Sequence, residues 1–431
     1  MSGHRYYDRM RGGETAFTVA ASAVKIGPGV LDELGEDARR LGMRRVALFV
    51  DPQVARESFF AGALGSLKQA GLDAVVFSGV RVEPTDRSFA EAAAFARNGA
   101  FDGYVSIGGG STIDTAKAAN LLATHPDSLL AYVNAPIGLG KPVPGPLRPH
   151  IACPTTAGTG SECTGVAIFD LTERKVKTGI SSPFLKPTLA VVDPDTTAGL
   201  PAGVIASCGF DVLTHAIESY TARPYTSRER PQGARPPYQG ANPWSDMGAL
   251  RAIRLGARHL ERAVADPADG EAREALMFAA TLAGLAFGNA GVHIPHAMSY
   301  SVAALKHDWQ APGYAMKGAP HGVSVVVNAP AAFRFTAQAA PARHLEAADA
   351  LGVDIAGAGP QDAGPLLADK LIAMMRATGM PSGIAELGYG EADIPALVAG
   401  AFAQRRLLVV APRAVAETDL AAIYRDALAY W

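Results

Sequence analysis

The chain has 431 residues, of which 48% are hydrophobic and 19% are charged, and its formal net charge at pH 7 is -2. This composition excludes a disordered or collagen-like protein, and the small net charge argues against a nucleic-acid partner. A chain of this length usually divides into two domains, each with its own core.

Features that report the cellular location are few. The first 17 residues interleave charged and aromatic side chains without the apolar stretch of a secretory signal. No apolar run approaches the roughly 18 residues that a transmembrane helix needs. Cys153, Cys163 and Cys208 lack the spacing of a metal motif and are too few for a disulfide framework, which is typical of a reducing compartment. We therefore expect a cytoplasmic protein with no membrane partner.

The first part of the chain alternates short β-rich runs with helical stretches. The predicted strands are 45–50, 74–77, 104–107, 151–153 and 190–192, and the clearest helices are 90–98 and 114–123. Such alternation is typical of βαβ units around a mostly parallel sheet. We expect residues 1–195 to form an α/β dinucleotide-binding domain.

After Pro194 the pattern becomes helical. The predicted helices are 205–221, 246–265, 271–287, 323–337, 361–378 and 392–401. Segments 135–150 and 222–243 are too rich in proline and glycine for regular structure, and each is either a solvated loop or a functional lid. We expect residues 196–431 to form an all-helical domain that carries the metal and the catalytic residues.

Two loops of the α/β part are suited to an anion. Gly108, Gly109 and Gly110 connect a buried strand to a helix that begins near Ser111, so backbone N–H groups at a helix start would face a pyrophosphate. The alternative is a tight strand-to-helix turn without a ligand. The loop 154–162 (PTTAGTGSE) adds hydroxyl and N–H groups that bind phosphate or ribose without adding charge.

Asp51 ends the first predicted strand. A carboxylate at this position accepts hydrogen bonds from ribose hydroxyls and repels a 2′-phosphate, which favours NAD over NADP. The fingerprint G-x-G-x-x-G does not follow it, and an Asp before Pro52 is also an ordinary start of a turn.

A possible metal site begins with Asp211 and His215. These residues are four apart in a predicted helix, so their side chains share one face, although such a pair is more often surface decoration. Glu218, further along the same stripe, is either a partner of a metal ligand or an unrelated surface acid.

The remaining ligands would be histidines of a single downstream segment. His293, His296, His307 and His321 lie between residues 289 and 322. A carboxylate with three imidazoles suits Fe(II), Zn(II) or Co(II). Spacing alone does not select three histidines from these four, and it leaves His293 and His296 as rivals.

Five motifs, GGGSTID, PTTAGTGSE, FDVLTHAIESY, HAMSY and GAPHG, together resemble the iron-containing (group III) alcohol dehydrogenase family over nearly the whole chain. Within that family, stretches such as YVNAPIGLGKP and FGNAGVHIPHAMSY are most similar to the hydroxyacid-oxoacid transhydrogenase branch. The resemblance implies a dehydroquinate synthase-like fold, an α/β nucleotide-binding domain followed by an all-α domain, and a homodimer.

The resemblance also assigns residues. It places the metal, Fe(II) with Zn(II) as the alternative, on Asp211, His215, His296 and His321, and it adds Tyr300 as a catalytic residue. The positions that resemble NAD contacts are Asp51, Gly109, Gly110, Ser111, Asp114, Thr155, Thr156 and Lys177. Two positions depart from the family pattern, because Tyr300 stands where many members have a histidine and Glu83 stands where they have an asparagine.

The implied activity is metal-dependent hydride transfer through NAD between a hydroxy acid of the 4-hydroxybutyrate type and an oxo acid of the 2-oxoglutarate type. The alternative is an NAD-dependent alcohol or 4-hydroxybutyrate dehydrogenase that releases NADH. A dehydroquinate synthase-type lyase shares the layout, but its motifs do not match. A substrate carboxylate would need a cation, for which the sequence offers Lys117, Lys177, Lys186 and Lys306. His307, Trp309 and Tyr314 are candidate lid residues, or plain surface residues, between the last two ligands.

Overall fold

The computed structural model describes residues 6–233 and 235–431. Contacts divide the chain into two compact units. The α/β unit is Ala21–Leu200, and the helical unit is Pro201–Trp431 together with the described part of Met1–Ala20. The predicted order, an α/β part followed by a helical part, is confirmed.

A parallel sheet forms the centre of the α/β unit. The strands are β1 (Ala23–Ile26), β2 (Arg45–Val50), β3 (Asp73–Phe77), β4 (Gly103–Gly108), β5 (His150–Pro154), β6 (Val166–Leu171), β7 (Val176–Ser181) and β8 (Leu189–Val192). Six of them form the sheet in the order β1-β8-β5-β4-β2-β3. β2, β4 and β5 are almost completely buried, as expected for parallel strands covered on both faces.

Helices cover this sheet and bury its side chains. They are α1 (Leu34–Arg40), α2 (Ser58–Gln69), α3 (Asp86–Asn98), α4 (Gly110–Thr124) and the short α5 (Leu129–Tyr132). Leu48 and Val50 of β2 pack in one apolar cluster with Leu67 of α2, whereas Phe49 packs in another with Ala92 of α3. Successive side chains of β2 point to opposite faces of the sheet and therefore pack into two different apolar clusters.

The α/β unit contains elements that the sequence patterns do not predict. β6 and β7 form an antiparallel hairpin in which Val166 pairs with Ser181 and Leu171 pairs with Val176. β1 joins the edge of the sheet through β8, with Ala23 opposite Leu189. α1 and α2 were also not predicted.

The helical unit contains helices at all the predicted positions and four that were not predicted, at 294–305, 341–350, 405–408 and 417–426. In chain order, its helices are α6 (Ala202–Thr221), α7 (Pro243–Ala265), α8 (Gly270–Ala290), α9 (Ile294–Leu305), α10 (His321–Val326), α11 (Ala329–Ala337), α12 (Pro341–Ala350), α13 (Ala363–Ala377), α14 (Ile394–Phe402), α15 (Arg405–Leu408) and α16 (Glu417–Asp426). Within the described ranges, no single helix has the length and apolar composition of a membrane span, and one pair bent by 104°, α8 with α9, meets both criteria together.

One predicted helix, 323–337, is two helices in the structure. α10 ends at Val326 and α11 begins at Ala329, with Pro330 in the first turn of α11. A proline in the middle of a continuous helix would clash with the carbonyl four residues earlier, here that of Val326. The chain therefore ends one helix and starts another.

Residues 6–20 were predicted to belong with the α/β domain, but they pack with the helical unit. Gln239 bonds the backbone of Thr18 through both its amide oxygen and its amide nitrogen, each at 2.9 Å. Asn289 does the same with Ala20, at 2.8 and 3.1 Å. Contact boundaries thus fall at 20/21 and 200/201 rather than at 195/196 alone.

Candidate functional site

Four side chains of the helical unit converge on one point. Asp211 and His215 project from α6, His296 projects from α9, and His321 is the first residue of α10. Each offers one potential ligand atom, and these four atoms all lie within 4.8 Å of one another. The structure therefore brings together the four residues that the sequence analysis assigned to a metal.

The atoms of this cluster fit a divalent cation. Oδ1 of Asp211 lies 3.5 Å from Nδ1 of His215, 3.4 Å from Nε2 of His296 and 3.6 Å from Nε2 of His321. The Asp211, His215 and His296 atoms are buried and have no hydrogen-bond partner among the residues that the structure describes. A buried polar atom without a partner costs about 1–3 kcal/mol, so three at one point indicate a missing ligand. One carboxylate and three imidazoles are donors that iron and zinc accept.

Local sequence brings the third and fourth ligands to α6. The chain turns between α8 and α9 at Gly291, whose φ is 101°, a conformation that favours glycine. Gly322 follows His321 and lies against α6, where an added Cβ would be 1.9 Å from the backbone oxygen of Ser207. Glycine at position 322 therefore allows α10 to approach α6 closely enough for His321 to reach Asp211.

Glu218 supports the cluster from behind. It is fully buried on α6, and its Oε2 accepts a hydrogen bond from Nδ1 of His296. Its Oε1 accepts the backbone N–H of His293 at 2.7 Å. A carboxylate on the far nitrogen of a metal-binding imidazole fixes the ring and its tautomer. Of the two interpretations left open by the sequence, the surface acid is wrong.

His293 lies outside the cluster. Its Nε2 is 3.1 Å from Oγ1 of Thr221, and its side chain is completely buried. Burial lowers the pKa of His293 to about 4, so the ring is neutral near pH 7. The geometry thus separates His293 from His296, which sequence spacing could not do.

The charges of the cluster are strongly coupled. Burial opposes ionisation of Asp211, but His215 and His321 outweigh it and hold the pKa of this carboxyl well below its usual range. Burial lowers the pKa of His215 to about 3. Burial also acts to lower the pKa of His296, but Glu218 and Asp211 together raise it to about 9. An ion bound here would replace that proton, since a metal ligand must be deprotonated.

Tyr300 lies one turn beyond His296 on α9. Its side chain is nearly buried, and its hydroxyl accepts a hydrogen bond of 3.0 Å from Nη2 of Arg406 on α15. Arg406 was not among the cations considered from sequence, because it is 106 residues away from Tyr300 in the chain. The structure thus places a guanidinium beside the hydroxyl of Tyr300.

In the α/β unit, the two predicted anion loops meet where they leave the carboxyl ends of the neighbouring strands β4 and β5. β4 and β5 are neighbours, and the N–H of Thr155 donates to the carbonyl of Gly108 at 3.1 Å. A Cβ added at Gly110 would lie 2.7 Å from the side chain of Thr159, and one added at Gly109 would lie 3.3 Å from that of Thr156. The close contact between the loops requires small residues at the start of α4.

Asp51 is bonded within its own turn. Its Oδ1 accepts the N–H groups of Gln53 at 2.9 Å and Val54 at 3.0 Å. The interpretation of Asp51 as a turn former is therefore correct for that oxygen. Its contact with a ribose stays a prediction.

Three further residues predicted to contact NAD have protein partners. Oγ of Ser111 accepts the N–H of Glu83 at 3.1 Å, and Oδ2 of Asp114 accepts the N–H of Ile168 at 2.9 Å. Lys177 forms ion pairs with Glu83 at 2.6 Å and with Asp170 at 3.1 Å. The carboxylate of Glu83 thus compensates the positive charge of Lys177.

The lysines considered for a substrate carboxylate are also engaged. Lys117 is buried and donates to Ser161 at 2.7 Å and to the carbonyl of Val166 at 2.8 Å. Lys306 pairs with Asp393 at 2.7 Å. Lys186 has interactions of its own. The candidate lid residues lie on segment 306–320 between α9 and α10, and their role stays a prediction.

Two family descriptions match the chain. Residues 21–194 match the iron-containing alcohol dehydrogenases, and residues 238–428 match the C-terminal part of the same family. The chain therefore belongs to the iron-containing alcohol dehydrogenase family. Membership confirms the predicted fold and the prediction of an oxidoreductase, and it implies NAD and a metal.

Curated relatives narrow the similarity to one branch. The chain is 50% identical to the mitochondrial hydroxyacid-oxoacid transhydrogenase of Rattus norvegicus, over 96% of this chain and 90% of that protein. Identity to the Homo sapiens protein of the same name is 49%, with the same coverage of both. The predicted resemblance to the transhydrogenase branch is confirmed.

Solved structures show the same fold. A 1,3-propanediol oxidoreductase superposes with a TM-score of 0.84 at 31% identity, covering 96% of this chain and 100% of that one. Sulfoacetaldehyde reductase from Bifidobacterium kashiwanohense, solved in complex with NAD+, superposes with a TM-score of 0.78 at 26% identity, covering 96% and 99%.

The expected cytoplasmic location is wrong by the same comparison. The transhydrogenase relatives from Rattus norvegicus, Homo sapiens and Dictyostelium discoideum are all named as mitochondrial, the last as a probable one. The physical reason for the error is that free cysteines report a reducing environment, and more than one compartment provides it.

Proposed function

We propose that this protein transfers a hydride between a small hydroxy acid and an oxo acid through NAD, at a metal site formed by Asp211, His215, His296 and His321. The observation that supports it best is the convergence of three buried ligand atoms that have no hydrogen-bond partner within 6–233 and 235–431. The transhydrogenase names of relatives about 50% identical support a hydroxy acid and an oxo acid as the substrate classes. Within these classes we propose the 4-hydroxybutyrate and 2-oxoglutarate types, which the sequence resemblance implies.

We further propose Fe(II) as the metal, because the family is described as iron-containing, with Zn(II) as the alternative. When bound, the ion would polarise the alcohol or carbonyl oxygen of the substrate and so favour hydride transfer. In this proposal the donor atoms of α6, α9 and α10 hold the ion. Glu218 keeps Nε2 of His296 directed toward Asp211 through its bond to Nδ1.

The cofactor would bind at the loops of the α/β unit. Gly109, Gly110 and Ser111 at the start of α4 offer backbone N–H groups to the pyrophosphate, and Thr155 and Thr156 add hydroxyls from the adjacent loop. The solved relative with NAD+ supports a dinucleotide in this fold. Asp51, Asp114 and Lys177 stay in the proposed set, with the protein contacts described above.

The second candidate is an NAD-dependent dehydrogenase that releases NADH at every turnover. The similarity to a 1,3-propanediol oxidoreductase favours it, since that name denotes a neutral diol. The two candidates share the metal site and differ in whether the reduced cofactor stays bound.

One experiment separates them. The metal-loaded protein is saturated with NAD, and free NAD is removed by gel filtration. It is then given 4-hydroxybutyrate deuterated at C4 together with 2-oxoglutarate. We expect deuterium at C2 of 2-hydroxyglutarate, with ping-pong kinetics for two substrates that meet one retained cofactor. Turnover that needs added NAD and tracks the appearance of free NADH would instead establish the dehydrogenase.

A further inference from the structure

Arg406 is part of a cluster with two tyrosines near the metal-ligand helix α9. Its Nη2 donates to the hydroxyl of Tyr300 at 3.0 Å. Its guanidinium carbon lies 5.6 Å from the centroid of the Tyr238 ring. Gly291, at the turn before α9, packs against Tyr238, since a Cβ added there would lie 2.9 Å from that side chain. The cluster is therefore attached to the same segment that carries His296.

In the described part of the chain, this guanidinium has no acidic partner. Across residues 6–233 and 235–431, no carboxylate lies within 4.0 Å of Arg406, which bonds the hydroxyl of Tyr300 and contacts the ring of Tyr238. Burial acts to lower the pKa of Arg406, but Tyr300 and Tyr238 outweigh it, so the group stays charged. Taking a cation partly out of water without an anion costs free energy unless a ligand supplies the charge.

Two other basic residues of the helical unit that are buried or half-buried have acidic partners, whereas the half-buried Arg223 and Arg228 donate to backbone carbonyls. Arg343 forms an ion pair with Asp246, and Lys306 forms one with Asp393. Arg405, the neighbour of Arg406, is exposed and stacks on Phe402 at 3.5 Å from the ring centroid. Arg406 thus differs from its neighbour in burial and from the paired residues in lacking a carboxylate.

We propose that Arg406, positioned by Tyr300 and Tyr238, binds the carboxylate of the substrate whose hydroxyl group is taken by the Asp211 and histidine cluster. His296 and Tyr300 are four residues apart and project from one face of α9, about 6 Å apart along the helix axis. An extended four-carbon hydroxy acid spans about the same distance between its hydroxyl and carboxylate oxygens. A guanidinium binds a carboxylate through two parallel hydrogen bonds, which lysine does not offer.

This inference rests on the proposed function and names the residue that selects for acids. Tyr300 is a positioning residue for Arg406, because its hydroxyl accepts a hydrogen bond from Nη2 of that side chain. The hydroxyl of Tyr300 and the guanidinium of Arg406 are then two parts of one carboxylate subsite.

The test compares an acid with its neutral analogue. Arg406→Met removes the charge at similar length, Arg406→Lys keeps a charge without the planar fork, and Arg405→Met is the matched control on the exposed neighbour. Each metal- and NAD-loaded variant is assayed with 4-hydroxybutyrate and with 1,4-butanediol. Binding of butyrate, which lacks the hydroxyl and does not react, is measured by calorimetry as a readout independent of turnover.

We expect Arg406→Met to raise KM for 4-hydroxybutyrate and to weaken butyrate binding about 10- to 100-fold, the worth of a charged hydrogen-bonded pair. Its kcat/KM for 1,4-butanediol should stay within about threefold of the wild type. Arg406→Lys should recover part of the acid binding, and Arg405→Met should match the wild type. Metal content should be the same in all four proteins.

Several outcomes would overturn the inference. Equal losses on the acid and the diol, with a lower unfolding temperature, would assign Arg406 a structural role only. Unchanged butyrate binding in Arg406→Met, or no butyrate binding by the wild type, would remove the subsite. Failure of the proposed function looks different, because the wild type would then bind butyrate through Arg406 and yet transfer no deuterium to 2-oxoglutarate.

Discussion

Glu218 and His296 form a buried carboxylate–imidazole pair in which the carboxylate accepts Nδ1–H and Nε2 is left 3.4 Å from Oδ1 of Asp211. The same carboxylate accepts the backbone N–H of His293 at 2.7 Å, so it also fixes the first turn of α9. One side chain therefore sets both the ring orientation and the position of the helix that carries it.

We expect Glu218→Gln to weaken metal binding about 10- to 100-fold, since the amide keeps the shape but removes the charge that orients the imidazole. Metal content after dialysis against a graded series of chelator concentrations measures this. Glu271→Gln is the control, because Glu271 is exposed and pairs only with Arg262 among the residues described. Coincident retention curves for Glu218→Gln and the wild type would remove Glu218 from the site.

We expect His296→Ala to lose metal and activity, whereas His293→Ala keeps most of both. Nε2 of His296 belongs to the cluster, while that of His293 bonds Thr221 at 3.1 Å. His293→Ala should still lower the free energy of unfolding by about 1–3 kcal/mol, because it leaves buried partners unpaired. The metal content of both purified variants is compared by mass spectrometry. Equal metal loss in the two would refute the ligand assignment.

We expect Gly322→Ala to destabilise the protein by about 1–3 kcal/mol, the usual cost of forcing atoms into packed space. An added Cβ would lie 1.9 Å from the carbonyl oxygen of Ser207, so α10 must move and carry His321 away from Asp211. The unfolding temperature and the metal content of the purified variant should both decrease. Gly390→Ala is the control, since nothing lies within 4 Å of a Cβ there. A variant with wild-type metal affinity would show that α10 tolerates the shift.

We expect tighter binding of NAD than of NADP, because Asp51 would meet a 2′-phosphate with like charge. Asp51→Asn tests the charge alone, since the amide oxygen still accepts from Gln53 and Val54 and so preserves the turn. The variant should narrow the NAD-to-NADP affinity ratio at unchanged unfolding temperature, measured by titrating both cofactors. Glu57→Gln, an exposed acid on the same loop, should leave the ratio unchanged. Tighter NADP binding by the wild type would remove Asp51 from the cofactor set.

The sequence was most informative where periodicity and burial agree. β2 was predicted at its observed bounds, because Arg45 is followed by five consecutive apolar residues, a run of strand length. The hairpin of β6 and β7 was missed, since strands such as VKTGIS mix polar and apolar residues without a clear alternation. Glu218 stayed ambiguous because α6 is buried on nearly every side, so it has no polar face from which burial of an acid could be inferred.

The distant pairs of the site could not be predicted from local patterns. His296 was separated from His293 only by the family resemblance, since both fit the spacing, and the contacts of Glu218 and Thr221 now distinguish them. Arg406 was missed for a different reason. A basic pair at the start of a four-residue helix normally indicates a solvated surface, and its contact with Tyr300 spans 106 positions of the chain.

The packing of residues 6–20 with the helical unit makes the α/β unit an insertion, because the chain leaves the helical unit after residue 20 and returns to it at residue 201. A helical fragment cut at the predicted boundary would lose the backbone partners of Gln239 and Asn289, four hydrogen bonds in total. Separating the two units therefore requires two cuts, at 20/21 and at 200/201, rather than a single one. During synthesis from the N-terminus, residues 6–20 emerge before residues 21–200, and their partners in the helical unit emerge after them. The unit that holds the proposed metal ligands is therefore completed late in synthesis.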